Sequence, residues 1–265
     1  MTERYDLAAV QWPDVPFDLM RHAVLIGKRG SEAHGTYIPP SDPDSVDDRD
    51  LMGICVPPLD FYFGIRLWQG TEAIKGCWDV VLYPFQKFLS LLAKQNPNVL
   101  CMLWLRPEDY LHLTAEGQEL IAARNLFRAR EPAFNSFVGY ARGQLQRMTN
   151  FQHQGYMGAK RKELADRYGY DCKNAAHLVR LLVTGIEYLQ TGRLTVYRER
   201  DRQRLIEIKT GRWPLEEVKL EADQLFDRCR VAFRESVLPE AIDMDAVNEL
   251  AIRLTGRVLG LGGRP

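Results

Sequence analysis

Residues 27–50 read GKRGSEAHGTYIPPSDPDSVDDRD, a stretch so dense in Gly, Pro, Ser and Asp that it must be largely loop and turn. An apolar run at 22–26 precedes it and suits a buried strand stopped by Gly27. A second strand is predicted over 50–56, halted by Pro57 and Pro58, and a third over 76–83 (GCWDVVLY). The order is therefore strand, Gly-Ser turn, acidic strand, acidic strand.

That order has a chemical use. Gly30 lets the backbone approach a phosphate closely, and Ser31 offers a hydroxyl and an N–H at an expected helix start, where the dipole favours anions. Asp48 and Asp50 straddle Arg49, and a period of two places both carboxylates on one face of a strand. Two such carboxylates repel unless a cation sits between them, and hard oxygen donors suit Mg²⁺. Asp79 repeats the pattern on the third strand, sharing a face with Val81 and Tyr83, with Trp78, Val80 and Leu82 on the other. Asp-rich loops also form Asx turns, so it is the combination of strand, Gly-Ser turn and acids on two strands that favours a metal site. His34, inside the loop, either contacts phosphate or caps a turn.

Past Leu113 the periodicity becomes helical, and two domains are expected: 1–114 with a short sheet, and an all-helical 115–265 completing the nucleotide and acceptor site. Pro84 starts a helix with apolar positions at Phe85, Phe88, Leu89, Leu91 and Leu92, and NVLCMLWL after Asn96-Pro97 reads as a continuing buried helix. Thr114 is a plausible N-cap, and helices are predicted near 115–128, 134–149, 158–168, 172–190, 201–210, 215–235 and 243–255, with an isolated strand at 194–197 and a frayed C-terminal GLGGRP. Lys173, His177 and Arg180 form a stripe at i, i+4 and i+7, which either holds a triphosphate or is an ordinary polar helix face. Tyr140, Gln144 and Arg147 repeat the spacing and are candidate base or sugar contacts. His22, His112 and His153 show no metal spacing, and the five tryptophans read as core.

The 265 residues carry 35 basic and 35 acidic side chains, unevenly placed: residues 1–115 have a net charge of −5 and residues 116–265 of +5. Over 122–180 there are 11 Lys and Arg against 4 Asp and Glu, which suits polyanions or is simply a solvated helical surface. Five widely spaced cysteines without a CxxC argue against a disulfide framework or zinc knuckle. No apolar run approaches the roughly 20 residues of a membrane span, and no secretion signal is evident, so a cytoplasmic protein is expected.

The segments Gly30-Ser31-Glu32-Ala33-His34-Gly35-Thr36 and Asp48-Arg49-Asp50-Leu51-Met52-Gly53 resemble the signature of the DNA polymerase beta superfamily of nucleotidyltransferases. Within it the chain is most similar to the nucleotidyltransferases associated with bacterial and phage RNA repair. The resemblance runs through Asp79, 83–89, 96–100 and 173–182, and covers about residues 20–240. Cys101 departs from it, standing where the family tends to carry Glu.

The resemblance implies an α+β fold, a polymerase-beta-like domain followed by helices. It also implies a two-metal mechanism in which Asp48, Asp50 and Asp79 are catalytic and hold two Mg²⁺ ions, with Mn²⁺ able to substitute. Gly30, Ser31, His34, Lys173, His177 and Arg180 would bind the nucleotide, an NTP such as ATP. The expected acceptor is an RNA end, with tRNA among the candidates. Transfer to a protein or small molecule, or a nucleotide-binding module without turnover, are the alternatives.

Overall fold

A computed structural model describes residues 5–43, 45, 47–149 and 159–261. His153, the first residue of the helix expected from 158, and residues 262–265 of the C-terminal GLGGRP lie outside the described residues. The described chain is α+β, with a five-stranded mixed sheet and twelve α-helices. It divides into two compact units, residues 1–33, 48–128 and 242–265 in one and 34–47 and 129–241 in the other. The change of periodicity near residue 114 marks one boundary in the sequence, whereas the two units interleave along the chain.

In the first unit, one-turn helix α1 (Leu19–His22) leads into β1 (Ala23–Lys28), and one-turn helix α2 (Gly30–Ala33) follows it. Then come β2 (Arg49–Cys55), α3 (Asp60–Phe63), β3 (Thr71–Lys75), β4 (Trp78–Pro84), α4 (Phe85–Ala93), α5 (Pro97–Leu100), β5 (Tyr110–Leu113) and α6 (Ala115–Ala122). The sheet order is β3-β4-β2-β1-β5, with β2 and β4 parallel and the other pairs antiparallel.

All six residues of β1 are buried, as a strand between two neighbours demands, and the strand runs through Gly27 instead of stopping there. A side chain at Gly27 would lie 2.6 Å from Leu105 Cδ1, so the glycine is set by packing. The unpredicted strands have plain causes. β3 is a short edge strand with alternating burial, and β5 is half-buried throughout, so neither carries a long apolar run.

Helix α4 begins directly after Pro84 and buries Phe85, Phe88, Leu89 and Leu92, one i, i+3, i+4, i+7 face, whereas the expected apolar position Leu91 lies off that face and is half-buried. The predicted buried helix after Asn96 is interrupted. Asn96 Oδ1 caps α5 by accepting from the N–H groups of Asn98 (3.1 Å) and Val99 (3.3 Å). After one turn the chain tightens into a 3₁₀ segment at Cys101–Leu103. Thr114 caps α6 as expected, accepting from Gly117 N–H. Helix α12 (Met244–Val258) returns to this unit, where Arg253 donates two hydrogen bonds to Glu119 on α6.

The second unit holds α7 (Arg130–Thr149), α8 (Ala159–Tyr168), α9 (Cys172–Thr191), α10 (Arg202–Lys209) and α11 (Leu215–Arg234). Fourteen of the twenty residues of α9 are buried, which makes it the central helix around which α7, α10 and α11 pack. Its ends are fixed by sequence. Asp171 caps the N-terminus and is gripped by Arg161 through two hydrogen bonds of 3.2 and 2.8 Å, while Gly192 closes the C-terminus in the left-handed conformation at φ 68°. A strand at 194–197 does not form among the described residues. The Val196 carbonyl instead accepts from, or faces, His34 Nδ1 at 3.1 Å. Four of the five free cysteines are buried, and Cys77 is exposed.

Candidate active site

The parallel pairing of β2 with β4 decides how the acids meet. Leu51 pairs with Val80, and Leu51, Trp78, Val80 and Leu82 share one apolar cluster with Val10. Because side chains alternate, the neighbouring pair Asp50 and Asp79, also register partners, faces the other side of the sheet. Two carboxylates are thus held side by side by backbone pairing alone. Between them lies Arg29, whose Nη2 is 2.6 Å from Asp79 Oδ1 and 3.9 Å from Asp50 Oδ1. All three side chains are about four-fifths buried, at 20%, 21% and 20% exposure for Arg29, Asp79 and Asp50. Asp48 precedes the first residue of β2 and is exposed. Among the described residues no three His, Cys, Asp or Glu side chains form a group able to hold a metal, so the structure unites Asp50 with Asp79 but does not gather the acids into a trio.

Gly30 joins this pair through sterics. Arg29 N–H donates to the Asp50 carbonyl at 2.9 Å, which lays the turn against β2. Gly30 then adopts φ +61°, and a Cβ there would stand 1.9 Å from Asp50 Oδ2. Its glycine is required by the acid as well as by the turn. The expected helix after it is the single turn of α2, too short to carry a useful dipole, so the phosphate-cradle argument rests on Ser31 alone. Ser31 Oγ is buried and has no partner among the described residues, an unusual condition for a hydroxyl. Glu32 accepts from the Tyr5 hydroxyl, and Tyr5 is flanked by Lys28 Nζ and the Arg49 guanidinium, each 5.0 Å from its ring centre. Burial raises the Glu32 carboxyl above its ordinary value, with the Tyr5 hydrogen bond opposing.

The remaining expected nucleotide ligands belong to the helical unit. Burial first, and the Arg180 guanidinium second, hold His34 and His177 well below the ordinary imidazole value, so both are neutral at pH 7. Lys173 and Arg147 add to the same field at His177. His177 Nε2 is buried without a partner among the described residues, as are Thr184 Oγ1 on the same helix and Gln144 Oε1 on α7. Lys173 Nζ lies 3.7 Å from Asp47 Oδ1, and the fully shielded Asp47 carboxylate is also bound by Lys209 Nζ and by Ile38 N–H at 2.9 Å. Lys209 and Arg202 reach the carbonyls of Thr36 and Gly35 at 2.9 and 2.8 Å. Segment 34–47 is therefore pinned by its own backbone carbonyls and one buried carboxylate.

A profile of the RNA repair pathway DNA polymerase beta family matches residues 21–253, most of the chain. The protein belongs to that family. No curated protein matches the sequence. Among solved structures, a nucleotidyltransferase-like protein from Exiguobacterium sibiricum is similar at 12% identity and a TM-score of 0.28, over 92% of this chain and 76% of that one. The acid pair, the Gly-Ser turn and the α9 stripe all fall inside the matched region of this RNA-repair-pathway polymerase-beta relative.

Three residues with a clear part in the arrangement were not singled out by the sequence. Arg29 and Asp47 sit in the quoted loop, but nothing local says that one neutralises the acid pair and the other anchors the loop. Thr184 extends the Lys173-His177-Arg180 spacing by four, a signal that was available.

Proposed function

We propose that the protein is a nucleotidyltransferase that moves a nucleoside monophosphate from an NTP to an acceptor hydroxyl, with an RNA end, tRNA included, as acceptor. One observation carries the reading: Asp50 and Asp79 are register partners on parallel strands, with the Gly30-Ser31 turn packed against Asp50. Family membership supplies the reaction class.

The donors fit a hard divalent ion. They are carboxylate oxygens held close, and a cationic group already lies between them. Asp50 and Asp79, with Asp48 at the entrance to β2, would hold Mg²⁺, two ions in the full reading, or Mn²⁺ in its place. When bound, the metal would stabilise phosphate charge and acidify the acceptor hydroxyl. Asp79 would accept the hydroxyl proton. Ser31 Oγ, buried and unpartnered, would donate to an NTP phosphate, and the Gly30 backbone would keep Asp50 in position. His34, Lys173, His177 and Arg180 are assigned to the nucleotide by the family resemblance, and the buried His177 Nε2, which has no partner among the described residues, supports that assignment. Five free thiols suit a reducing compartment, the cytoplasm, and no helix of the described residues is long and apolar enough to cross a membrane.

A second reading, nucleotide binding without turnover, is favoured by the lack of a three-acid group among the described residues. Incubation with each α-labelled NTP, Mg²⁺ or Mn²⁺, and a mixture of tRNA, oligonucleotides and protein separates them. Label on RNA supports the proposal, label on protein or a small molecule changes the acceptor, and tight NTP binding without label supports the binding module. Asp50→Asn is expected to abolish transfer while leaving the far-UV circular dichroism unchanged.

A further inference from the structure

We propose that Arg29 is a resident counter-cation, occupying the carboxylates of Asp50 and Asp79 in competition with a divalent ion, so that the guanidinium must withdraw before the ion is held. The inference rests on the reading of these carboxylates as metal ligands. Arg29 Nη2 bonds Asp79 Oδ1 at 2.6 Å and stands 3.9 Å from Asp50 Oδ1, and these are the oxygens a cation shared by the two strands would need. Two carboxylates fixed opposite each other by strand register carry two negative charges, and the guanidinium brings one positive charge to them. A divalent ion balances both, and it cannot share those oxygens with Arg29.

The way Arg29 is held permits exchange. Its main-chain N–H is tied to the Asp50 carbonyl at 2.9 Å, so the backbone stays while the side chain turns. Its Nε is buried with no partner among the described residues, so the guanidinium grips the acids from one side and not as a matched fork. That unmet donor weakens the hold and leaves the position open to a stronger cation. A site filled this way shows an apparent metal affinity lowered by the fraction of molecules in which Arg29 is docked.

The test is a Mn²⁺ titration of the whole protein without nucleotide, read by the loss of the free-ion electron paramagnetic resonance signal. Arg29→Gln is expected to bind Mn²⁺ about tenfold more tightly than the parent, the scale of one charge-assisted contact between largely buried groups. Arg29→Lys, which keeps the charge without the planar head, should fall between. Metal-induced thermal stabilisation should rise in the same order. Equal or weaker Mn²⁺ affinity in a folded Arg29→Gln protein overturns the proposal. Should that variant not fold, an unchanged affinity in Arg29→Lys overturns it. If the parent binds Mn²⁺ and the variants bind no tighter, the Arg29 inference alone fails. If neither parent nor variants bind Mn²⁺ at millimolar concentration, the metal reading fails with it.

Discussion

Gly30→Ala probes the point where the turn and the acid pair become one structure. The change has two costs that other glycines of the same chain separate. Gly30 sits at φ +61°, a conformation that costs an alanine roughly 1–2 kcal/mol wherever it occurs. Gly169 has φ +76° with no described atom within 4 Å of its would-be Cβ, so Gly169→Ala measures that backbone cost. Gly35 at φ +73° adds a collision with a ring, 2.7 Å from Tyr197 Cε2, inside the same loop. At Gly30 the Cβ would lie 1.9 Å from Asp50 Oδ2 and 2.6 Å from its Cγ. Ordinary contact begins near 3.4 Å, so the carboxylate must retreat by about 1.5 Å.

Asp50 is held by strand register, so that retreat must come from its side chain, taking the carboxylate away from Asp79 and Arg29. Gly30→Ala is therefore expected to cost about 2–3 kcal/mol, against about 1 kcal/mol for Gly169→Ala, in urea unfolding followed by circular dichroism. Misplacement of a reacting group by about 1 Å costs on the order of 100-fold in rate. Nucleotide transfer should fall by about that factor in Gly30→Ala, and by less than about threefold in Gly169→Ala. A Gly30→Ala protein with the stability of Gly169→Ala and parental transfer would refute the packing of the turn on Asp50.

Asp79→Asn should lower nucleotide transfer by a factor of about 10³ or more, measured with α-labelled NTP, and should also lower the urea midpoint because it weakens the pairing with Arg29. Lys209→Met leaves the shielded Asp47 carboxylate short of a partner, and about 3 kcal/mol of stability should be lost in urea unfolding, with much of it restored in the Asp47→Asn, Lys209→Met double variant. His34 and His177 have folded values below the ordinary 6.5, so the unfolded chain binds more protons and stability falls as pH drops below about 6.5, by roughly 1.4 kcal/mol per unit for each. Glu32, raised above 4.5, opposes them with the opposite slope just above that value, so the fall in urea midpoint should ease as the pH approaches 4.5. The double variant His34→Gln, His177→Gln should flatten the descent below pH 6.5.

How much of this was legible depended on whether the signal was local. The strands flanking the loop, the face of α4, the Thr114 cap and most helix limits were, because burial periodicity and capping act within a few residues. So was the sharing of faces in β4, since Asp79 and Tyr83 are part-exposed where Trp78, Val80 and Leu82 are buried. β3 and β5 were not, because each is defined by the strand beside it and not by its own pattern. The register that sets Asp50 opposite Asp79 links residues 29 apart, and no spacing rule supplies it. Nor could composition tell that the loop 34–47 packs with the helices, since the bonds that decide it come from Arg202 and Lys209 more than 160 residues onward.

The same limit explains why adjacent aspartates in one run of sequence do different work. Asp47, Asp48 and Asp50 look alike on paper, yet a carboxylate's chemistry is set by what neutralises it. Asp47 is wholly shielded and carries Lys209, Lys173 and the Ile38 N–H, so its charge is committed to holding the loop. Asp50 faces Asp79 across a ladder with the Arg29 guanidinium 3.9 Å away. The difference carries over to the cations. Lys173 is already turned toward Asp47, and the two histidines of its neighbourhood are neutral, so the stripe on α9 is no row of positive charges: beside the buried Arg180 guanidinium it carries the polar atoms of His177 and Thr184. An anion bound there would be recognised by one buried guanidinium and neutral donors rather than by a row of positive charges. Arg180→Gln should therefore weaken triphosphate binding far more than Lys173→Gln, and equal losses in isothermal titration would show that the row of charges, and not the buried arginine, makes the contact.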